Sequence, residues 1–153
     1  LISAGCDVNR TRSSDGATAL HRAAWRGSEH VVQLLLNAGV DCTRQDDHRR
    51  TPLLVACQGD ESETAMALLE SSKCVVNVCD VEMNSALHWT VAHENQKLMT
   101  CLLAAGIDPN LRNFEGNTAL TLAAGLGFTS IVITLVNNGA DCDKTNYEGE
   151  TAI

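Results

Sequence analysis

Gly16-Ala-Thr-Ala-Leu-His-Arg-Ala-Ala24 and then Leu35-Leu-Asn-Ala-Gly-Val-Asp41 are the stretches that decide the fold of this protein. In each stretch the apolar residues recur at helical spacing. The second stretch ends on a glycine, the residue that most readily turns a chain out of a helix. The two stretches together therefore predict two short helices joined by a tight turn.

The same pattern recurs along the chain about every 33 residues. A shared hydroxyl marks each copy, with spacings of 33, 34, 33 and 33 residues, at Thr18, Thr51, Ser85, Thr118 and Thr151. An independent marker, a glycine followed two residues later by Asp, ends the copies within residues 4–9, 38–41, 105–110 and 138–141. A period of this length is typical of proteins that stack one small supersecondary unit on the next.

The repeated residues also predict where each helix begins and ends. The shared hydroxyls lie where an N-cap oxygen accepts from the first free backbone N–H groups, and Pro52 suits the first helical turn. Left-handed turns at the helix ends are predicted at Gly39, Gly106 and Gly139. In the second helix of each unit the pattern i, i+1, i+4, i+5 predicts one apolar stripe, as in Val31, Val32, Leu35 and Leu36, and again in Ile131, Val132, Leu135 and Val136.

These stretches resemble the ankyrin repeat, whose signature reads Gly-x-Thr-Pro-Leu-His-x-Ala-Ala and then Leu-Leu-x-x-Gly-Ala-Asp. The resemblance covers nearly all 153 residues. It implies an all-α ankyrin-repeat solenoid of stacked antiparallel helix pairs with β-hairpin-like loops. It also implies a division of the chain into the end of one repeat (1–12), four repeats (13–45, 46–79, 80–112, 113–145) and the start of another (146–153). Since the chain begins and stops inside predicted helices, at Leu1 and near Ile153, we expect a segment of a longer ankyrin array.

Two repeats depart from the family pattern at the loop tip. Arg49 and Met83 stand where the family has the turn glycine. A side chain disfavours the left-handed backbone that such turns use. We therefore expect the tips at Arg49 and Met83 to be the least regular ones.

Composition and charge exclude several classes of function. The 11 Lys and Arg residues face 19 Asp and Glu residues, and a net charge of −8 argues against general affinity for nucleic acid or anionic membrane. No apolar run approaches the roughly 20 residues needed for insertion into a bilayer. Seven cysteines, an odd number, exclude a complete set of internal disulfides. We expect an intracellular protein, cytoplasmic or nuclear, whose oligomeric state the sequence leaves open.

The cysteines and histidines allow a structural and a metal-binding interpretation. Cys42, Cys142, Cys57 and Cys101 fall on apolar repeat positions, which favours core thiols. Cys74, Cys79, His88 and His93 include the right ligand types for zinc. However, His88 occupies the same repeat position as His21, and the resemblance implies that this imidazole ties neighbouring loops together. His88 and His93 would also lie on different sides of one helix, so the sequence favours no metal.

Enzymatic function finds little support in the sequence. No glycine-rich phosphate loop follows a predicted strand, and neither Gly-x-Ser-x-Gly nor His-Glu-x-x-His occurs. A repeat array also offers a groove rather than a closed pocket. We therefore expect a protein without catalytic residues or cofactors.

The positions that the scaffold leaves free are the candidates for function. The resemblance to ankyrin arrays places them on the loop tips and on the exposed face of each first helix. Aromatic and arginine side chains carry much of the energy at protein interfaces. The candidate protein-binding residues are Trp25, Arg26, Asp47, His48, Arg50, Gln58, Glu82, His93, Phe114, Glu115 and Tyr147.

The sequence thus predicts a non-catalytic module that docks a partner protein or peptide. Charge divides the chain, because residues 1–50 hold seven Arg and six acidic residues whereas the rest holds four basic and thirteen acidic residues. An alternative is a structural spacer or tether within a large multidomain ankyrin protein, such as a channel, a cytoskeletal adaptor or a ubiquitin-ligase subunit.

Overall fold

A computed structural model of the chain describes residues 9–11, 14–71 and 73–152. The chain divides into two compact units, Leu1–Val78 (unit 1) and Cys79–Ile153 (unit 2). The helices expected at Leu1 and at Ile153, and the marker at residues 4–8, lie outside the described residues.

Unit 1 consists of two helix pairs. The helices are α1 (Ala19–Trp25), α2 (Glu29–Asn37), α3 (Pro52–Gln58) and α4 (Ser62–Glu70). α1 packs on α2 and α3 on α4, while α1 also contacts α3 and α2 contacts α4. Leu20, Ala24, Val32, Leu53 and Leu68 are fully or almost fully buried between the helices. Each such leucine or valine stabilises the stack by about 2 kcal/mol relative to an exposed side chain.

Unit 2 repeats this arrangement. Its helices are α5 (Ala86–Ala92), α6 (Gln96–Ala104), α7 (Ala119–Gly125) and α8 (Thr129–Asn137). α5 packs on α6 and on α7, and α8 packs on α7 and on α6. Leu87, Leu98, Leu102, Leu120 and Leu135 form the core of this unit. The predicted all-α fold is confirmed: the described residues contain eight helices and no strand, with one isolated antiparallel bridge between Cys79 and Ser85.

The predicted helix boundaries are also confirmed. The side-chain oxygens of Thr18, Thr51 and Thr118 accept hydrogen bonds from the backbone N–H three residues further on, and Ser85 stands at the N-cap of α5. Pro52 is the first residue of α3. The helix-ending glycines have positive φ, as predicted, at Gly39 (79°), Gly106 (85°) and Gly139 (87°).

The apolar stripes of α2 and α8 are narrower than the sequence predicts. Val32, Ile131 and Leu135 are completely buried, whereas Val31 and Val136 remain 45% and 42% exposed. Consecutive residues on a helix are about 100° apart. One of the two adjacent positions therefore turns partly to solvent in α2 and α8, whereas Leu98 and Met99 of α6 are both completely buried.

The prediction for the tips at Arg49 and Met83 is wrong. Their φ values, 61° and 62°, lie in the same left-handed region as those of the glycines at the equivalent positions, Gly116 (79°) and Gly149 (83°). Arg49 N–H donates to Asp46 O and Met83 N–H donates to Asp80 O, as Gly116 N–H donates to Asn113 O. These tips keep the common turn because the hydrogen bonds around it outweigh the steric cost of a left-handed side chain.

Candidate functional site

One side chain anchors each of the four fully described tips. In each tip an Asp or Asn Oδ1 accepts hydrogen bonds from the backbone N–H groups two and four residues later, at 2.8–3.1 Å. The anchors are Asp46, Asp80, Asn113 and Asn146. The repeat pattern described above did not indicate them. The signal that could have found them is an Asp or Asn at repeat spacing just before each tip, because these residues bond locally to the backbone of turns.

Backbone hydrogen bonds join neighbouring tips within each unit. In unit 1, Asp47 N–H donates to Asp15 O at 3.1 Å. In unit 2, Phe114 N–H donates to Glu82 O at 3.0 Å and Tyr147 N–H donates to Glu115 O at 3.1 Å. The tips of a unit therefore form a row whose backbone is fixed, and the side chains that follow each anchor project from it.

Two buried histidines fasten first helices to the tip of the next repeat. His21 Nε2 lies 2.9 Å from Arg50 O, and His88 Nε2 lies 2.9 Å from Asn117 O. The predicted tying role of this imidazole is confirmed. Burial lowers the pKa of both imidazoles, and the hydrogen bonds to the carbonyl oxygens only partly offset this effect. Both side chains are therefore neutral structural donors.

Two candidate residues of unit 1, Trp25 and Arg50, line an open cavity of about 150 Å³ beside α1. Trp25, half exposed, forms one wall, together with Arg22 and Arg50. The Arg50 guanidinium donates to Asp46 Oδ2 at 2.7 and 2.9 Å and also to Gln58 Oε1. Arg50 and Gln58, both predicted to bind a partner, are thus also partners of each other.

The ion pair between Asp46 and Arg50 changes the pKa of Asp46. Burial by itself would raise the pKa of Asp46, but hydrogen bonds and charge from Arg50 lower it below its ordinary value. Arg22 forms a second ion pair with Asp15. Arg26 is exposed and lines a larger cavity of about 730 Å³ with Arg10 and Arg22.

Asp47 and His48 are also exposed, on the tip that Asp46 anchors. The unit 1 surface therefore combines an aromatic side chain with arginines, some of them already paired.

Four of the five unit 2 candidates lie on three consecutive tips. Phe114 and Tyr147, 66% and 71% exposed, occupy equivalent positions one repeat apart. Glu82 and Glu115, which directly follow Val81 and Phe114 in the sequence, are also exposed. His93, also exposed, lies at the C-cap of α5, away from the tips. The structure thus brings Glu82, Phe114, Glu115 and Tyr147 onto one row.

Arg112 supports this row in a way that the sequence did not reveal. Its guanidinium carbon lies 5.1 Å from the centroid of the Tyr147 ring, within cation–π distance. The same guanidinium donates to the backbone oxygens of Gly116 and Thr145. Tyr147 is therefore held from one side while its ring remains largely in solvent.

The cysteines follow the core prediction in part. Cys42 and Cys57 are buried, whereas Cys101 and Cys142 are only half-buried. Burial raises the pKa of Cys57 to about 12 and also raises that of Cys74, whose thiol contacts Cys42. These groups stay protonated and unreactive at neutral pH.

One of the four possible zinc ligands, His88, is already occupied by hydrogen bonds within the fold. Both ring nitrogens of His88 have protein partners, with Nδ1 lying 2.8 Å from Ser85 Oγ and Nε2 facing Asn117 O. In the part of the chain that the structure describes, no three His, Cys, Asp or Glu side chains are grouped to hold a metal ion. No helix there is both long and apolar enough to pass through a bilayer.

Comparison with known proteins places this geometry in context. A family model described as ankyrin repeats (3 copies) matches residues 1–80, 38–113 and 87–153. The chain is 34% identical over 130 residues to alpha-latrotoxin-Lg1a of Latrodectus geometricus, and 35% identical over 136 residues to inversin of Canis lupus familiaris. These matches cover 84% and 88% of this chain but only 9% and 12% of those relatives.

A shorter relative matches over most of its own length. The putative ankyrin repeat protein FPV223 of fowlpox virus (strain NVSL) is 31% identical over 126 residues, which is 82% of this chain and 87% of the viral protein.

Proposed function

This chain belongs to the ankyrin repeat family, whose repeats are protein-interaction modules rather than enzymes, and on that premise we propose that its tips and exposed first-helix faces dock a partner protein or peptide. The observation that carries the proposal is the placement of three aromatic side chains. Trp25, Phe114 and Tyr147 are at least half exposed on a chain with only five aromatic residues. Aromatic side chains at such sites supply large contact area at low entropic cost.

Preorganisation supports the same proposal. The hydrogen bonds between tips and the anchors within them hold the backbone beneath Phe114 and Tyr147 before any partner arrives. A surface that is already ordered loses little conformational entropy on binding. The affinity of such a site depends on a few rigid contacts rather than on its total area.

The test is affinity capture with surface variants. We expect Trp25→Ala/Arg26→Ala to weaken capture through unit 1, and Phe114→Ala/Tyr147→Ala to weaken capture through unit 2, with nearly unchanged melting temperature. Exposed apolar residues on the second helices provide matched controls, Val31→Ala for unit 1 and Ile133→Ala for unit 2. Equal capture by the two double variants and the wild type would refute the docking role.

A spacer or tether role is the second candidate. It is favoured by the small share, 9% and 12%, that this chain spans of the toxin and of inversin. Under this function, the aromatic variants would leave partner capture of the parent protein unchanged. Replacing the whole segment by another ankyrin segment of equal repeat number would then preserve the activity of the parent.

A further inference from the structure

We propose that the tips of unit 2 bind a basic segment in which apolar residues stand beside Lys or Arg. This proposal deepens the docking function above and rests on it. Its basis is a pair of parallel rows on consecutive tips. The residue after each anchor forms an apolar row, Val81, Phe114 and Tyr147, and the next residue forms an acidic row, Glu82, Glu115 and Glu148.

The apolar row is exposed although its backbone is fixed. Val81 is 41% exposed, and the two aromatic residues beyond it are more exposed still. The Tyr147 ring lies against the backbone of Gly116, where an added Cβ would come within 3.0 Å of it. The core of the unit does not need these side chains, so they remain available as a contact surface.

The acidic row is oriented by a repeated contact. Asn84 Nδ2 donates to Glu82 Oε2 at 3.2 Å, and Asn117 Nδ2 donates to Glu115 Oε2 at 3.0 Å. Each of these asparagines is linked to the anchor of the next tip, because Asn113 Nδ2 donates to Asn84 Oδ1 at 3.2 Å and Asn146 Nδ2 donates to Asn117 Oδ1 at 3.1 Å. Two of the three carboxylates, those of Glu82 and Glu115, are thus oriented before binding.

Charge identifies the occupant of this surface. No ion pair involves the three glutamates of the acidic row within the described part of unit 2. A cavity of about 480 Å³ beside the last two tips is lined by Tyr147, Leu126, Glu115, Glu148 and Glu150, with no Lys or Arg in its wall. The nearby Arg112 is occupied with backbone oxygens beneath Tyr147.

A Lys or Arg side chain would satisfy both parts of this surface. Its aliphatic stem packs on apolar groups while its charged end meets the carboxylates. An acidic partner would instead face like charges at every tip, which costs affinity.

The spacing of the rows constrains the sequence of the partner. Neighbouring packed helices lie about 10 Å apart, and the tips they carry follow the same interval. A polyproline II chain rises about 3.1 Å per residue with three residues per turn, so every third residue of such a partner lies on the same side of the chain and would meet a successive tip. A segment of repeated basic-apolar-polar triplets fits both rows together.

Synthetic peptides test this chemistry directly. A fluorescent peptide of four Arg-Leu-Ser triplets is titrated with the whole chain, beside a peptide of four Glu-Leu-Ser triplets and one with the same composition but all its arginines at one end. We expect the arginine triplets to bind at least about tenfold more tightly than either of the others, and to weaken as salt rises.

A charge-neutral variant of the acidic row provides the decisive comparison. Glu82→Gln/Glu115→Gln/Glu148→Gln keeps the oxygens that accept from the asparagines while it removes three charges. We expect it to bind the arginine triplets at least about tenfold more weakly than the wild type. Its matched control removes three exposed charges of the same unit away from the tips, Glu94→Gln/Asp141→Asn/Asp143→Asn, and should bind nearly as the wild type does.

Three results would overturn the proposal: no saturable binding of the arginine triplets by the wild type, equal binding of the two charge types, or equal binding by the two triple variants. Each of these leaves the docking function itself to be judged by capture with Phe114→Ala/Tyr147→Ala. The two proposals therefore fail separately.

Discussion

His88 Nε2 lies 2.9 Å from the carbonyl oxygen of Asn117, which belongs to the next repeat. A carbonyl oxygen can only accept, so Nε2 carries the proton and Nδ1 accepts from the Ser85 backbone N–H at 3.1 Å. One neutral imidazole therefore satisfies the start of its own helix and the following tip.

Loss of this imidazole should destabilise the protein. His88→Ala leaves a buried N–H and a carbonyl oxygen without their partner, and we expect the free energy of unfolding to fall by about 2 kcal/mol. Urea denaturation followed by circular dichroism measures the change. His48→Ala on an exposed tip is the control and should cost less than about 0.5 kcal/mol. Equal losses in the two variants would contradict the role of the imidazole.

The same histidines should make stability depend on pH. The pKa of both His21 and His88 is lowered from 6.5 in the folded chain, so below that pH the unfolded chain binds more protons. The stability that they contribute is present above pH 6.5 and is lost as pH falls below it. We expect the melting temperature to drop between about pH 7.5 and about pH 5. In His21→Gln/His88→Gln this slope should be shallower, and a wild type that gained stability on acidification would refute the assignment.

Two substitutions of the anchor Asp46 should differ in their effect on stability. Asp46→Ala removes the acceptor of two backbone N–H groups and the partner of Arg50, and we expect a loss of about 2–3 kcal/mol. Asp46→Asn keeps the accepting oxygen, as the natural anchors Asn113 and Asn146 do. It also replaces Oδ2, which accepts from the Arg50 guanidinium, with an NH₂ group that cannot accept, so we expect an intermediate loss of about 1–2 kcal/mol. Thermal denaturation of both variants measures the two losses of stability. If Asp46→Asn lost more stability than Asp46→Ala, the ion pair with Arg50 would contribute more than the hydrogen bonds to the backbone.

Left-handed residues at the tips predict changes of opposite sign. Met83→Gly relieves a side chain held at φ 62° and should stabilise the protein by about 0.5–1 kcal/mol after the entropy of the unfolded glycine is counted. Gly116→Ala at φ 79° places a Cβ 2.9 Å from Tyr147 N and should destabilise by more than about 1 kcal/mol. Chemical denaturation of the pair measures both, and changes of equal sign would refute this reading of the turns.

The fold was predictable because its determinants are local and repeated. The hydroxyl at Thr18 and its equivalents, Pro52 and the turn glycines each specify a short-range hydrogen bond or backbone conformation that recurs with the period. The tips at Arg49 and Met83 were wrongly predicted to be irregular, because that prediction used the absence of glycine alone. The anchors at Asp46 and Asp80 hold those turns, and a missing residue type does not reveal such compensation.

The positions of the candidate residues were predictable, but the contacts between their side chains were not. Repeat register is sufficient to place Phe114 and Tyr147 on equivalent tips. It does not indicate that Arg50 reaches Gln58 or that Arg112 lies on the Tyr147 ring, because those contacts join particular side chains rather than repeated positions. Whether these residues bind a partner stays a prediction.

The Asp and Asn anchors also separate the position that determines the shape of each tip from the positions that are free to vary. Since one side chain in each tip shapes the turn, the two residues that follow it can change chemical character without a penalty to the scaffold. A lineage could exchange an aromatic group for a charge at those sites and acquire a new ligand in a few mutational steps. The same property makes the paired sites after Asn113 and Asn146 natural positions for randomisation in a selected binder library.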